Sequence, residues 1–385
     1  MPGQREASAG DFPGRVGLQQ RVLPAYRAQF FNALAGSCRG GLSVFAGTPL
    51  PEESIATADH LEDARYEHGR NLQFVQLNSP LYLLWQRGLM RWLRDWNPDV
   101  LITEANQRYA SNWSAIRWMH ASGRPVIGCG LGAPEFNEGS KKQGLLSSAL
   151  RRSRRRFIQS FDALIAYSQT GAEEYARLGF PGERIFIACN AVTSRPAGPL
   201  PERPEGYTGR PRILFTGRLQ ARKRIDNLLR ACAALPETMQ PSLWIVGDGP
   251  SRGALEVLAK EVYPRAEFFG ARYGDELKSL FLKADLFVLP GTGGLAVQQA
   301  MAYGLPVIVA QGDGTQQDLV GEQNGWLVPP ESLPSLLEAL KDALSDPLRL
   351  RRMGAESFRI VAEDVNIEGM VESFLRALNA VAVQY

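Results

Sequence analysis

Ile213-Leu214-Phe215-Thr216-Gly217-Arg218-Leu219-Gln220-Ala221-Arg222-Lys223 opens the stretch that decides the fold. A short apolar strand ends in Thr216-Gly217, and two cations, Arg218 and Lys223, follow before a helical pattern through Ile225, Leu228, Leu229 and Ala231. Such an ending suits a diphosphate, because arginine offers a planar fork of donors and lysine a compact charge. A second strand, Leu243-Trp244-Ile245-Val246, closes on the turn Gly247-Asp248-Gly249-Pro250. A third, Leu286 to Pro290, leads into Gly291-Thr292-Gly293-Gly294-Leu295 and a helix carrying Gln298, Gln299, Ala300, Met301 and Ala302. The free backbone N–H groups of a glycine-rich strand-to-helix turn can face phosphate.

The same alternation extends upstream. Arg15 to Leu18 reads as a first strand, followed by a helix through Tyr26, Phe30, Phe31 and Leu34. Strands are expected at Leu42 to Phe45, Leu72 to Val75, Val100 to Thr103, Val126 to Ile127, Asp162 to Tyr167 and Arg184 to Ala188. Helices are expected around Leu81 to Leu93, Asn112 to His120 and Glu173 to Leu178. Alternating strand and helix imply parallel sheets covered on both faces. No GxGxxG follows the first strand, which argues against a dinucleotide site there. Between Thr193 and Arg210, four prolines and three glycines rule out a continuing helix or central strand. The expected division is a domain over 1–193, a linker over 194–210 and a domain over 211–365. The last helical stretch, within 366–385, carries Met370, Phe374, Leu375, Leu378 and Val381 on one face.

A chain of 385 residues fits two domains better than one core. The net charge of +3 gives no nucleic-acid signature. Cys38, Cys129, Cys189 and Cys232 lack metal or disulfide spacing, and reduced thiols in the cytoplasm are the plain reading. Met1 to Asp11 has no apolar signal-peptide core, and no apolar run approaches the length of a membrane span. His60, His68 and His120 are isolated, without metal-ligand spacing, and read as surface residues.

Taken in order, Gly217-Arg218-Leu219 with Lys223, Val246 to Pro250, Phe268-Phe269-Gly270, Gly291 to Leu295 and Gln299 to Ile308 resemble the donor-binding half of retaining glycosyltransferases of the glycosyltransferase 4, group 1 type. The looser match on both sides covers nearly the whole chain. The resemblance implies an α/β chain of GT-B fold, two Rossmann-like doubly wound domains facing a central cleft, with the final helix packed back on the first. It implies transfer of a sugar from a nucleotide-diphosphate sugar to a glycan or lipid-linked glycan, with retention and with neither metal nor cofactor. Sugar-nucleotide epimerisation, or donor binding without catalysis, are the alternative activities.

Carried over residue by residue, Arg218 and Lys223 hold the donor diphosphate and neutralise charge as the glycosidic bond breaks. Gly217, Gly247, Gly270, Ala271, Arg272, Gly291, Thr292, Gly293, Gly294, Leu295 and Gln299 complete the expected donor contacts. The sequence departs from the family where two glutamates eight residues apart are usual, because Gly291 and Gln299 stand there. Gln299 can still exchange hydrogen bonds with a sugar hydroxyl but brings no charge. In the first domain the loop Gly128 to Glu135 lacks the histidine found in many relatives. Glu104, ending a strand, is then the leading acidic candidate and Glu135 the second, each against the plainer reading of a cap or a solvated carboxylate. Arg21 and Arg27 lie where an anionic acceptor or donor phosphate would be reached, and Asn190 where the family has its hinge.

One cluster remains: Arg151, Arg152, Arg154, Arg155 and Arg156, with Leu146, Leu150, Phe157 and Phe161 at helical spacing. An amphipathic cationic helix suits contact with anionic lipid on the inner face of the membrane; the plainer reading is a solvated basic helix. No aromatic interleaving supports nucleic acid.

Overall fold

The structure is a computed structural model that describes residues 10–50, 53, 55–74, 82–133, 145–293, 295–312 and 314–382. The chain forms two compact units, Met1–Asn190 with Ile367–Tyr385, and Ala191–Asn366. Each is a sheet covered by helices on both faces.

The first unit holds β1 (Val16–Val22), α1 (Ala28–Gly36), β2 (Leu42–Gly47), β3 (Arg65–Gln73), β4 (Leu84–Arg87), α2 (Leu89–Trp96), β5 (Val100–Glu104), α3 (Ala110–Ala121), β6 (Val126–Gly130), α4 (Leu145–Ile158), β7 (Ala163–Ala166), α5 (Gln169–Arg177) and β8 (Ile185–Ile187). The strands lie in the order β4-β3-β2-β1-β5-β6-β7-β8. All pairs are parallel except β3 with β4. The inner strands are mostly apolar, because helices cover both faces, with Gln19 of β1 and Ser43 of β2 as buried polar exceptions.

Two expectations fail at the β4 edge. The helix expected over Leu81 to Leu93 is a strand, Leu84–Arg87, followed by a helix only from Leu89. The break is Gly88, whose φ of +100° stops either element from running through. The strand expected at Leu72 to Val75 is instead Arg65–Gln73, a polar strand near the sheet edge with no apolar run to reveal it; Val75 lies outside the described residues.

The second unit holds β9 (Arg212–Thr216), α6 (Ile225–Ala234), β10 (Ser242–Val246), α7 (Arg252–Val262), β11 (Ala266–Gly270), α8 (Gly274–Lys283), β12 (Leu286–Leu289), α9 (Leu295–Ala302), β13 (Val307–Ala310), α10 (Thr315–Leu319), β14 (Gly325–Val328), α11 (Leu333–Leu344) and α12 (Pro347–Glu363). Its sheet is wholly parallel, in the order β11-β10-β9-β12-β13-β14. The proline-rich stretch expected as a linker is tied to this unit: Arg203 donates to the Phe281 carbonyl at 2.9 Å, and Arg351 to the Pro204 carbonyl at 2.8 Å. The last helix, α13 (Ile367–Ala382), belongs to the first unit. Met370, Phe374, Leu375, Leu378 and Val381 are all buried, and Phe374 meets Phe30 of α1 edge-on at 4.9 Å.

This topology selects where ligands go. Open parallel sheets bind beyond the carboxyl ends of strands where the strand order reverses. In the first unit that point lies between β1 and β5, and in the second between β9 and β12.

Candidate functional site

At the second unit's reversal point, three glycine turns interlock. Gly217 has φ +146° and Gly247 φ +136°, and a Cβ on Gly247 would lie 1.9 Å from the Gly217 carbonyl oxygen. The ladder continues through these turns, with Gly217 N–H donating to Val246 O at 3.0 Å and Gly247 N–H to Gly270 O at 2.8 Å. Leu219 N–H then donates to Asp248 O at 2.9 Å. No side chain fits between the strands here, so backbone lines the surface on which Arg218 begins.

Lys223 ends a short 3-10 turn, Ala221–Lys223. Its ammonium donates to the Thr292 carbonyl at 2.7 Å, and Thr292 N–H donates to the Arg222 carbonyl at 3.1 Å. The loop after β12 is thereby stitched to the loop after β9. Burial, with Arg222 beside it, lowers the Lys223 ammonium to about 8. Gly293, at φ +112°, leaves the ammonium room: a Cβ there would lie 2.3 Å from Nζ. Arg224 is drawn away into ion pairs with Asp226 at 3.2 Å and Glu331 at 2.9 Å.

The structure thus brings Gly217, Arg218, Lys223, Gly247, Gly291, Thr292 and Gly293 to one end of one sheet. Gly270 sits beside them at the end of β11 with φ +69°. Ala271 and Arg272 are exposed, and Arg272 is engaged by the Phe269 carbonyl at 3.0 Å and Glu276 at 3.1 Å. Leu295 opens α9; Gly294 lies outside the described residues. On α9, Gln298 is buried and accepts from Val192 N–H at 2.9 Å, while Gln299 is half-buried.

In the first unit a buried amide chain organises the ends of β1 and β5. Gln19 Oε1 accepts from Thr103 Oγ1, from Glu104 N–H at 3.1 Å and from Asn112 Nδ2 at 3.3 Å. Gln19 Nε2 donates to Gln86, whose own Nε2 reaches Asn71 at 2.9 Å and the Gln20 carbonyl at 3.0 Å. Buried hydrogen-bond networks of this kind fix geometry, and among these side chains Asn112 Oδ1 is left without a partner. Here the fixed group is Glu104, which accepts from Arg21 N–H at 2.6 Å. Burial pushes its carboxyl up to about 7, against the opposing pull of that bond and of the Arg21 and Arg27 charges.

Both of those arginines are engaged within the first unit. Arg21 forks onto Glu53 at 2.9 and 2.7 Å. Arg27 is buried, donates to Asn190 and to Met370 Sδ at 3.5 Å, and lies over the Tyr167 ring at 5.2 Å. It pins α13 and the hinge-position asparagine within the first unit.

Glu104 opens into a cleft of about 690 Å³ lined also by Asn106, Arg108, Tyr109, Arg154 and Tyr167. Sequence reading missed Arg108 and Tyr109, although Asn106 to Tyr109 directly follow a parallel strand's carboxyl end. It also grouped Arg154 with its neighbours. In α4, Arg151, Arg152, Arg155 and Arg156 are exposed, whereas Arg154 is half-buried and turned to the cleft. Of the apolar residues at helical spacing, Phe157 and, just past the helix end, Phe161 are buried in the core, whereas Leu150 is exposed. Glu135 lies outside the described residues. His60, His68 and His120 are exposed, and among the described residues no three His, Cys, Asp or Glu gather as metal ligands. No helix among them is long and apolar enough to cross a membrane.

Two family models match in tandem: Glycosyltransferase Family 4 over residues 43–195 and Glycosyl transferases group 1 over 200–359. The chain belongs to the group 1, family 4 type of glycosyltransferases. The order of the two matches follows the two units, and the group 1 match contains the glycine-and-cation site. Among curated members of this family, an uncharacterized glycosyltransferase of Methanocaldococcus jannaschii is 36% identical over 139 residues, 35% of this chain and 36% of that one. A GDP-mannose-dependent alpha-mannosyltransferase of Mycobacterium tuberculosis is 37% identical over 124 residues, 31% of each chain. The chain thus spans about a third of the length of these two relatives. Among solved structures, HepE of Anabaena in complex with UDP superposes with a TM-score of 0.69 at 16% identity, covering 95% of this chain and 99% of that one. A glycosyltransferase of Rickettsia africae gives 0.70 at 13% identity, covering 97% and 100%. At these identities the two structures establish the GT-B fold.

Proposed function

We propose that the protein transfers a glycosyl group from a nucleoside-diphosphate sugar to a hydroxyl of a glycan or lipid-linked glycan acceptor. The observation that carries this reading is the placement of Arg218 and Lys223 on backbone-lined turns at the second unit's reversal point. The C–O bond between sugar and diphosphate breaks, the acceptor oxygen bonds to the same carbon, and the acceptor proton passes to the leaving phosphate or to Glu104. Arg218 and Lys223 stabilise the charge that develops on the diphosphate; one such preorganised donor is typically worth about 2.7–4 kcal/mol. These two cations supply the neutralisation without a metal, and front-side departure gives retention. The relative named for GDP-mannose and the neighbour solved with UDP support a nucleotide-sugar donor.

The exposed arginines of α4 provide a further, electrostatic contact with anionic membrane on the cytoplasmic side, which salt should weaken. Donor binding without transfer is the competing reading, favoured by Gly291 and Gln299 standing where carboxylates are usual. The deciding experiment mixes UDP-, GDP-, ADP- and dTDP-sugars with candidate acceptors and follows free nucleoside diphosphate. Transfer releases it only with acceptor, epimerisation changes the sugar without release, and a binding protein does neither.

A further inference from the structure

The cleft of the first unit is built from two cations and one acid. Arg108 and Arg154 enter it from different elements, the loop after β5 and helix α4, and Glu104 is its carboxyl. Arg108 is held by its backbone: its N–H donates to Asn106 Oδ1 at 3.1 Å, and its carbonyl accepts from Leu84 N–H at 2.9 Å. The guanidinium is left to the cleft wall. Arg154 is the one member of a five-arginine run that turns inward, at the cost of its hydration. Burial lowers its pKa; Glu174 and Tyr175 oppose this, and the charge of Arg108 adds to it. Two guanidiniums that feel each other in a partly dehydrated cleft repel. Glu174 offsets part of that repulsion, and Glu104, protonated over much of the range below about 7, offsets little. An oxyanion between them relieves it, and arginine pairs match phosphate in geometry as well as charge.

We infer that this cleft receives an acceptor bearing a phosphate group, read jointly by Arg108 and Arg154, with the nucleophilic hydroxyl toward Glu104. The inference rests on the proposed transferase reading for the word acceptor, but not for the binding of the anion. Tyr109 and Tyr167, which burial keeps neutral, line the same cleft. The phosphate belongs either to a sugar phosphate or to a lipid headgroup, and soluble probes separate these sources.

The test is calorimetric titration of the full chain with glucose, glucose 6-phosphate and glycerophosphoglycerol, with excess UDP present to occupy the second unit. Glucose 6-phosphate should bind at least tenfold tighter than glucose, and Arg154→Gln and Arg108→Gln should each remove at least tenfold of that affinity. Arg154→Lys should recover part of the loss, and Arg117→Gln, exposed on α3, should show none. Binding of glycerophosphoglycerol alone, with the same arginine dependence, assigns the phosphate to a lipid headgroup. Arg218→Ala separates the two proposals: it should weaken UDP and leave glucose 6-phosphate untouched. The inference is overturned if no phosphate probe binds, if Arg108→Gln and Arg154→Gln both bind like the parent, or if the probe's affinity is lost with Arg218→Ala instead.

Discussion

A Cβ built on Gly291 would lie 2.2 Å from the carbonyl oxygen of Arg222, far inside any tolerated contact. The backbone before Lys223 therefore occupies the space that a side chain at Gly291 would need. Thr292 N–H bonds that same carbonyl and Lys223 Nζ bonds the Thr292 carbonyl, so the glycine and the lysine form one closure between the loops after β9 and β12. The missing carboxylate at position 291 is thus more than a changed side chain: the backbone of Arg222 and Lys223 fills the space any side chain there would need.

Restoring the family's acid should accordingly do harm. Gly291→Glu is expected to destabilise by about 1–3 kcal/mol, the usual range for forcing atoms into a packed site, and to weaken nucleoside-diphosphate binding by displacing Lys223. Gly291→Ala should do much of the same, because the collision begins at Cβ. Urea unfolding of the three proteins checks it. An alanine variant as stable as the parent would show that the two loops part readily.

Lys223 gives the donor site a pH dependence of known sign. With its ammonium near 8 rather than the ordinary 10.5, charge is present below that value and lost above it. Affinity for nucleoside diphosphate should fall as pH rises from 7 to 9.5. Lys223→Arg, always charged, should flatten the curve, and Lys223→Ala should bind at least tenfold more weakly at pH 7, since a charge-assisted bond is worth roughly 1.5–3 kcal/mol. Titration of UDP at four pH values decides it; a parallel decline in parent and arginine variant would remove the lysine as its cause.

Glu104 acts on stability with the opposite charge and its own sign. Folded, it keeps its proton up to about 7; unfolded, it releases it near the ordinary 4.5. Between those values the folded state holds more protons, so stability falls as pH rises through the window and the loss is complete above it. Glu104→Gln removes the titration while leaving an oxygen for Arg21 N–H. Relative to the variant, the parent should lose stability between pH 5 and 7.5. Transfer activity, if Glu104 takes the acceptor proton, should rise through about 7 in the parent alone. Denaturation curves that stay parallel at both pH values would place Glu104 in water rather than in the cleft wall.

The second unit was legible because its strands are short, the central ones buried, and several are closed by glycines, so pattern and turn chemistry agree from Ile213 to Val309. The apolar face of α13 was equally plain. What escaped reading shares one physical cause: the signal was tertiary. Gln19 looks like a misplaced polar residue until Thr103, Glu104 and Asn112 surround it. β3 is polar because it lies near a sheet edge, and Gly88 separates a strand from a helix that periodicity alone joins. Arg154 differs from Arg152 only in the direction its helix faces. The closure of Gly291 against Arg222 depends on two loops about seventy residues apart, which no local pattern reports.

Gln299 bears on the donor's ribose. It sits half-buried on α9 beside Gln298, and the two neighbours have different tasks. Gln298 is buried and holds Val192 N–H at 2.9 Å, so Gln298→Ala should cost about 1–3 kcal/mol through an unsatisfied amide and leave nucleotide preference unchanged. Gln299 stands where relatives place the carboxylate for ribose hydroxyls. An amide forms weaker bonds to paired hydroxyls than a carboxylate, so the parent should discriminate little between UDP and dTDP. Gln299→Glu should then shift preference toward UDP by severalfold while Arg218 and Lys223 keep diphosphate affinity in place. Titrating both nucleotides against parent, Gln299→Glu and Gln298→Ala separates the roles. A tenfold parent preference for UDP that survives Gln299→Glu unaltered would mean that the ribose is read by other residues.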